Sequence, residues 1–198
     1  MIGVLIDSSN ASLILGIAKD KSIIDQIDEP AWQRQSELLV DYLGKLLDKN
    51  HIDRKDISYV VATKGPGSYT GVRIALTVAK VMAFALNIPL FLVSSLEALK
   101  EANAVSLCVS NARSKRSYVG IYEGEKTLLE DTIWTNEELL AYLKEHPSVL
   151  ICGETDYLGL KTKKPDILKN LNEAAINKNL VENVLAAKPV YLKDSYPV

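Results

Sequence analysis

The sequence predicts an α/β fold of mixed sheets and helices, arranged as a larger first segment and a smaller second one. Three observations carry this. Apolar runs at residues 2–6, 12–17 and 22–27 follow one another across short polar breaks of hairpin length. A helical apolar stripe comes next, over residues 33–49. A further apolar run, 57–62, then passes through a glycine-rich turn into a second helix.

The elements follow in order. Ile2-Gly3-Val4-Leu5-Ile6 is almost continuously apolar, the pattern of a central strand covered on both faces. In the first helix Leu38, Leu39, Tyr42, Leu43, Leu46 and Leu47 share one face, while Glu37, Asp41, Lys45 and Asp48 share the other. The second helix is expected over 72–86, ended by Asn87-Ile88-Pro89. Residues 90–93 read as a buried strand, and Ser94-Ser95 as the cap of a short helix through Lys100. From Asn103 onward, strands are expected at 105–109, 118–122 and 128–134. Thr135 then caps a helix to Lys144, a strand follows at 149–152, and helices lie near 167–175 and 180–186. The expected division is residues 1–102 and 103–198.

Bulk properties narrow the function classes. A chain of 198 residues can form one large domain or two small lobes. A net charge of −2 advertises neither nucleic-acid nor membrane binding. The two cysteines, Cys108 and Cys152, sit in apolar strand-like runs, so buried free thiols are expected, with a disulfide between the two as the lesser reading. The N-terminal Met1-Ile2-Gly3-Val4-Leu5-Ile6-Asp7 has no basic leader. The longest apolar stretch, 74–86, is interrupted by Thr77 and Lys80 and reads as too short to span a bilayer. A cytoplasmic protein is expected.

The second helix is apolar almost all round. Arg73, Thr77 and Lys80 form one narrow polar stripe, and Ala75, Ala79 and Ala83 form a row that permits close approach. The sequence leaves two coverings open: the chain's own sheet and first helix, or a second polypeptide.

Gly65 to Gly71 lies between a strand and a helix N-terminus, where free amides and the helix dipole suit an anion. Ser68 or Thr70 can cap that helix. A tight capped turn with no ligand is the other reading. Known phosphate loops fit poorly. Thr70 stands where a dinucleotide loop needs its third glycine, and Gly71-Val72-Arg73 replaces the Gly-Lys-Ser/Thr of a P-loop. Gly67 directly precedes Ser68, so G-x-S-x-G fails as well. Asp7-Ser8-Ser9 can hold a metal–phosphate group or simply stabilise a turn. His51 and His146 read as exposed loop residues without metal-ligand spacing, and Ser68 has no evident base.

The run Gly65-Pro66-Gly67-Ser68-Tyr69-Thr70-Gly71-Val72-Arg73-Ile74 closely resembles the G-P-G-S-[FY]-T-G-x-R-I signature of the bacterial threonylcarbamoyladenosine biosynthesis family TsaB, also called YeaZ. Ile6-Asp7-Ser8-Ser9 resembles that family's I-D-T-S turn, Arg34-Gln35-Ser36-Glu37-Leu38-Leu39 its R-H-S-E-x-L, and Pro189-Val190-Tyr191-Leu192-Lys193 its closing P-x-Y-L-R. The resemblance is strong over residues 1–100 and thin over 103–188. It implies an actin-like ATPase (ASKHA, ribonuclease H-like) fold of two lobes, the second degenerate.

The same resemblance implies a non-catalytic subunit that heterodimerises with the catalytic subunit TsaD, alongside the ATPase TsaE, to threonylcarbamoylate adenosine 37 of tRNAs reading codons that begin with adenine. ATP and metal would belong to the partners, with no cofactor on this chain, and a homodimer would form when the partner is absent. The interface would lie on the two helices, at Leu38, Leu39, Tyr42, Leu46, Arg73, Ala75, Leu76, Ala79, Met82 and Ala83. Asp7, Ser8, Ser9, Gly65, Gly67, Ser68, Thr70 and Gly71 would form the loop nearest any nucleotide. Asn111-Ala112-Arg113-Ser114-Lys115-Arg116-Ser117-Tyr118 departs from the family's D-A-R-R-G-E-V-Y toward positive charge; Arg113, Lys115 and Arg116 then read first as a solvated basic turn and second as a contact to tRNA phosphates. Two other readings stand beside this one: a single-chain phosphotransferase of the same fold class, and a peptidase.

Overall fold

The computed structural model describes residues 1–31, 34–162, 164–177 and 180–192. They form two compact units, Met1–Ser95 with Ile167–Val190, and Leu96–Asp166 with Tyr191 and Leu192. The division falls after Ser95 rather than after residue 102. The segment 167–190, expected in the second lobe, completes the first unit.

The first unit opens with β1 (Ile2–Asp7), β2 (Ser12–Lys19), β3 (Ser22–Pro30) and α1 (Gln35–Lys49). It continues through β4 (Ile57–Thr63), α2 (Tyr69–Leu86) and β5 (Leu90–Val93). The second unit holds β6 (Val105–Arg113), β7 (Arg116–Glu123), β8 (Lys126–Thr135), α3 (Asn136–Glu145) and β9 (Leu150–Gly153). The chain then returns through α4 (Ile167–Asn177) to the first unit.

In the first unit the strands lie in the order β3-β2-β1-β4-β5. β1 pairs antiparallel with β2 and parallel with β4, so Val4 faces Ile17 on one side and Val60 on the other. The near-continuous apolar run of β1 is explained: it is the middle strand. One core cluster joins Val4, Ile6, Leu13, Leu15 and Val60 of the sheet to Leu39, Leu43 and Leu46 of α1 and to Ala75, Leu76, Ala79 and Ala83 of α2. α4 also packs on the sheet, placing Leu168 against Gly16. The Tyr59 hydroxyl donates to Asn172 at 2.6 Å, and Asn172 donates to the Asp20 carbonyl at 3.0 Å.

α2 begins at Tyr69, three residues earlier than expected, because Ser68 caps it. Its 18 residues are long enough and apolar enough to cross a bilayer by length and composition, contrary to the expectation from residues 74–86 alone. Here the helix packs one face on β4 and β1 instead.

The helix expected at 180–186 is absent. Leu180 makes an antiparallel bridge to Phe91, and the Val181 N–H donates to the Leu90 carbonyl at 2.9 Å. Lys80 then donates to the carbonyls of Leu185 and Ala187 at 2.8 and 2.9 Å, and the Val190 N–H donates to Lys64 at 2.7 Å. The Leu90 carbonyl on the β5 edge and the Lys64 carbonyl after β4 accept from this segment, which favours an extended strap over a helix.

The second unit has strand order β8-β7-β6-β9, with β6 antiparallel to β7 and parallel to β9. This repeats β3-β2-β1-β4: three antiparallel strands, a helix, then a parallel fourth. It lacks counterparts of α2 and β5 among the described residues. Leu107, Val109, Val119, Ile121 and Leu139 form its core beneath α3. The predicted cap is present. Glu138 N–H donates to Thr135 Oγ1 at 3.1 Å, and Thr135 N–H donates to Glu138 Oε2 at 2.7 Å. The short helix expected after Ser94-Ser95 is one 3₁₀ turn, Glu97–Leu99, preceded by Leu96 without a side-chain cap.

Candidate functional site

The glycine loop is closed upon the turn that follows β1. The Ser68 N–H donates to the Ser9 carbonyl at 2.7 Å, and the Ser8 hydroxyl donates to the Gly71 carbonyl at 2.7 Å. Asp7 Oδ1 accepts from the Ser9 N–H at 3.0 Å and from the Thr63 hydroxyl at 2.6 Å. The Ser68 hydroxyl accepts from the Gly71 N–H at 3.2 Å, as an N-cap should. Two glycines are needed for close approach: a Cβ on Gly71 would stand 1.9 Å from the Ser8 carbonyl oxygen, and one on Gly67 2.4 Å from that of Ser9. Gly65 has φ +98°, and a Cβ there would meet the Val190 carbonyl at 2.6 Å.

The structure brings Asp7, Ser8, Ser9, Gly67, Ser68 and Gly71 together, with Gly65 against Val190. Their polar groups are committed to one another, however. Asp7, Ser8 and Ser9 are at most 3% exposed. The Ser8 hydroxyl holds the turn to the helix, while the Ser68 oxygen accepts from Gly71 as the cap of its own helix. Of the loop's hydroxyl-bearing residues, Tyr69 and Thr70 are exposed.

The helix pair corrects the expected interface. Leu39, Leu46, Ala75, Leu76, Ala79 and Ala83 are all at 3% exposure or less, inside the unit's own core. The row of alanines brings α2 close to its own sheet, so a neighbour has no access to it. Leu38, Tyr42 and Met82 are half-buried at the margin of that core, and Arg73 is exposed. The apolar side chains that do face outward are Val40 on α1 and Tyr69, Val81 and Phe84 on α2, exposed by 64, 60, 62 and 65%. Arg73 lies over the Tyr69 ring, 5.1 Å from its centroid. Lys80, expected in the polar stripe, has turned to the strap. Thr70, Arg73, Thr77, Val81 and Phe84 face outward at spacings of three and four, with Tyr69 and Ala85 exposed beside them. That spacing was visible in the sequence once the alanine row was assigned inward.

In the second unit Arg113, Lys115 and Arg116 lie at the exposed tip of the β6–β7 hairpin. Arg113, Ser114 and Lys115 have φ of 60, 52 and 56°, three consecutive non-glycine residues in the left-handed region. The Arg113 N–H donates to Asn111 Oδ1 at 2.8 Å, and the Asn136 N–H donates to the Lys115 carbonyl at 2.9 Å. Acidic Glu154 also reaches the hairpin, its Oε2 accepting from the Asn111 N–H at 3.2 Å.

His51 follows α1 and is exposed. His146 ends α3, its ring stacked on Tyr142 with centroids 4.0 Å apart. Among the described residues no three His, Cys, Asp or Glu side chains are grouped as metal ligands. Cys108 and Cys152 are buried free thiols, as expected.

Known proteins share this arrangement. A family model described as TsaD, tRNA N6-adenosine threonylcarbamoyltransferase, matches residues 27–188. The TsaB threonylcarbamoyladenosine biosynthesis protein of Bacillus subtilis is 30% identical over 188 residues, spanning 92% of this chain and 76% of that protein. The TsaB of Buchnera aphidicola from Schizaphis graminum is 31% identical over 130 residues, 63% of this chain and 60% of that one. The structure of YeaZ from Pseudomonas aeruginosa superposes with a TM-score of 0.77 at 20% identity, over 96% of this chain and 99% of that one. The fold is thus the α/β actin-like ATPase class that the glycine-loop resemblance implied. The chain belongs to the TsaB (YeaZ) family of tRNA threonylcarbamoyladenosine biosynthesis proteins.

Proposed function

We propose that the chain is a non-catalytic subunit in threonylcarbamoylation of adenosine 37 of tRNA, acting in the cytoplasm. It heterodimerises with a TsaD-type catalytic subunit and activates it, with a TsaE-type ATPase joining the assembly. ATP and metal are held by those partners. One observation carries the reading: Val40, Tyr69, Val81 and Phe84 leave an apolar flank outward on adjoining helices of an otherwise well-filled core. The TsaD family model covers α1, β4, α2 and the second unit, so the two subunits share an architecture and like can pack on like. A second copy of the chain covers the same flank when the partner is absent.

A non-catalytic role is supported by what the loop residues do. Asp7, Ser8 and Ser68 serve internal hydrogen bonds, which disfavours both the phosphotransferase and the peptidase reading. Arg113, Lys115 and Arg116 contact tRNA phosphates within the assembly. The test is co-purification with the TsaD-type subunit of the same organism, followed by a tRNA-modification assay. Modification should need both chains. Full modification by the catalytic subunit without this chain, or no complex at micromolar concentration, overturns the proposal.

A further inference from the structure

Cys108 and Cys152 have no part in the glycine loop or the helix flank. They come from distant parts of the sequence yet are direct partners in the parallel β6–β9 ladder. Aligned residues on neighbouring strands project to the same face. Strands run about 4.8 Å apart, inside the span of about 4.4–6.8 Å that Cα atoms of a disulfide occupy. Each sulfur lies near a carbonyl of its own strand, Cys108 at 4.0 Å from Ser106 and Cys152 at 3.8 Å from Leu150. Both thiols are buried, at 0 and 4% exposure. The two strands differ in their hold on the fold. β6 is an interior strand of nine residues, whereas β9 has four residues at the sheet edge, with Leu150 45% exposed. A short edge strand opens more readily than the sheet as a whole.

We propose that Cys108 and Cys152 form a redox-active dithiol, oxidised by a low-molecular-weight disulfide to a cross-strand bond that staples β9 to β6. The Cys152 thiolate attacks one sulfur of glutathione disulfide, forming a mixed disulfide and releasing one glutathione thiolate. The Cys108 sulfur then attacks the Cys152 sulfur and expels the second glutathione. The two thiol protons pass to the two departing thiolates. Two electrons leave the protein, and one glutathione disulfide becomes two thiols. The order of attack follows the surroundings. A hydrogen bond from Cys108 holds the Cys152 thiol below its ordinary pKa, while burial pushes Cys108 well above.

The test uses the reduced full chain incubated with glutathione disulfide and followed by intact mass and non-reducing peptide mapping. The expected result is a loss of about 2 Da, with one peptide pair joining Cys108 to Cys152. Cys108→Ser should instead stop at a glutathione adduct on Cys152, and Cys152→Ser should react at least about tenfold more slowly. Oxidation should also outpace hydrogen exchange of the β7 amides, which reports opening of the whole second unit. Persistently free thiols in the wild-type chain overturn the proposal without recourse to any variant. So does oxidation no faster than β7 exchange, or equal adduct formation on both cysteines.

Discussion

Phe84→Ala separates the partner face from the core. Phe84 is 65% exposed in the isolated chain. A phenylalanine side chain presents about 200 Å², so about 130 Å² is open to a partner. At about 25 cal/mol per Å² its full burial contributes about 3 kcal/mol, and truncation to a methyl removes about 2 kcal/mol of that. The dissociation constant of the complex with the TsaD-type subunit should rise about 30-fold. The unfolding free energy of the chain alone should move by no more than about 0.5 kcal/mol, since the ring has little to lose there. Calorimetric titration and denaturant unfolding give the two readings. Ala79→Asp is the contrasting control. Ala79 is fully buried, so a carboxylate there should unfold the chain rather than only dissociate the complex. A Phe84→Ala complex with its affinity intact, or a Phe84→Ala chain that loses stability, would refute the assignment of this flank.

Other outcomes follow from the local geometry. Gly71→Ala places a methyl against the Ser8 carbonyl and should cost about 3 kcal/mol, read as a lower denaturant midpoint. Thr135→Ala removes the capping box of α3 and should cost about 1 kcal/mol. Asp25 accepts from Lys49 and Asn50, each at 2.8 Å, and the Lys49 ammonium above all holds its carboxyl below the ordinary range. Its stabilisation is full above the unfolded-state pKa of about 3.9 and is lost as pH falls through the depressed folded value. Asp25→Asn should therefore flatten the acid limb of the stability curve, measured between about pH 2 and 5. Arg116→Glu should weaken tRNA binding by the assembled complex and lower its salt dependence, read by anisotropy over a salt series.

Much of the fold was legible because each strand run and helix stripe answers to one layer of contacts. β1 reads as central because it is covered on both faces, and Thr135 with Glu138 reads as a capping box because that motif is local. The failures are of another kind. Residues 180–186 carry a helical pattern, yet the Leu90 carbonyl and the Lys80 ammonium hold them, and the Lys64 carbonyl holds Val190 beyond them, as a strap. That competition is set by residues about 90 to 125 positions earlier, beyond the reach of any local window. The alanine row of α2 was misread for a related reason. Periodicity shows that a small-residue stripe will be packed closely, but not which neighbour packs on it. In the glycine loop an anion cradle and a capped turn share one sequence pattern, and the Ser8 hydroxyl donating to the Gly71 carbonyl is a contact across 63 positions that no local pattern contains.

The strap and α4 make the first unit discontinuous, and this bears on how the chain is made. Synthesis proceeds from the N-terminus at about 5–20 residues per second. When Ser95 has emerged, β5 still has an open edge, and the sheet face that will receive Leu168 is bare. Those surfaces stay uncovered on the order of ten seconds, while the whole second unit is translated. The nascent chain is thus most vulnerable to off-pathway pairing in that interval, and a fragment cut at residue 95 would keep that vulnerability permanently.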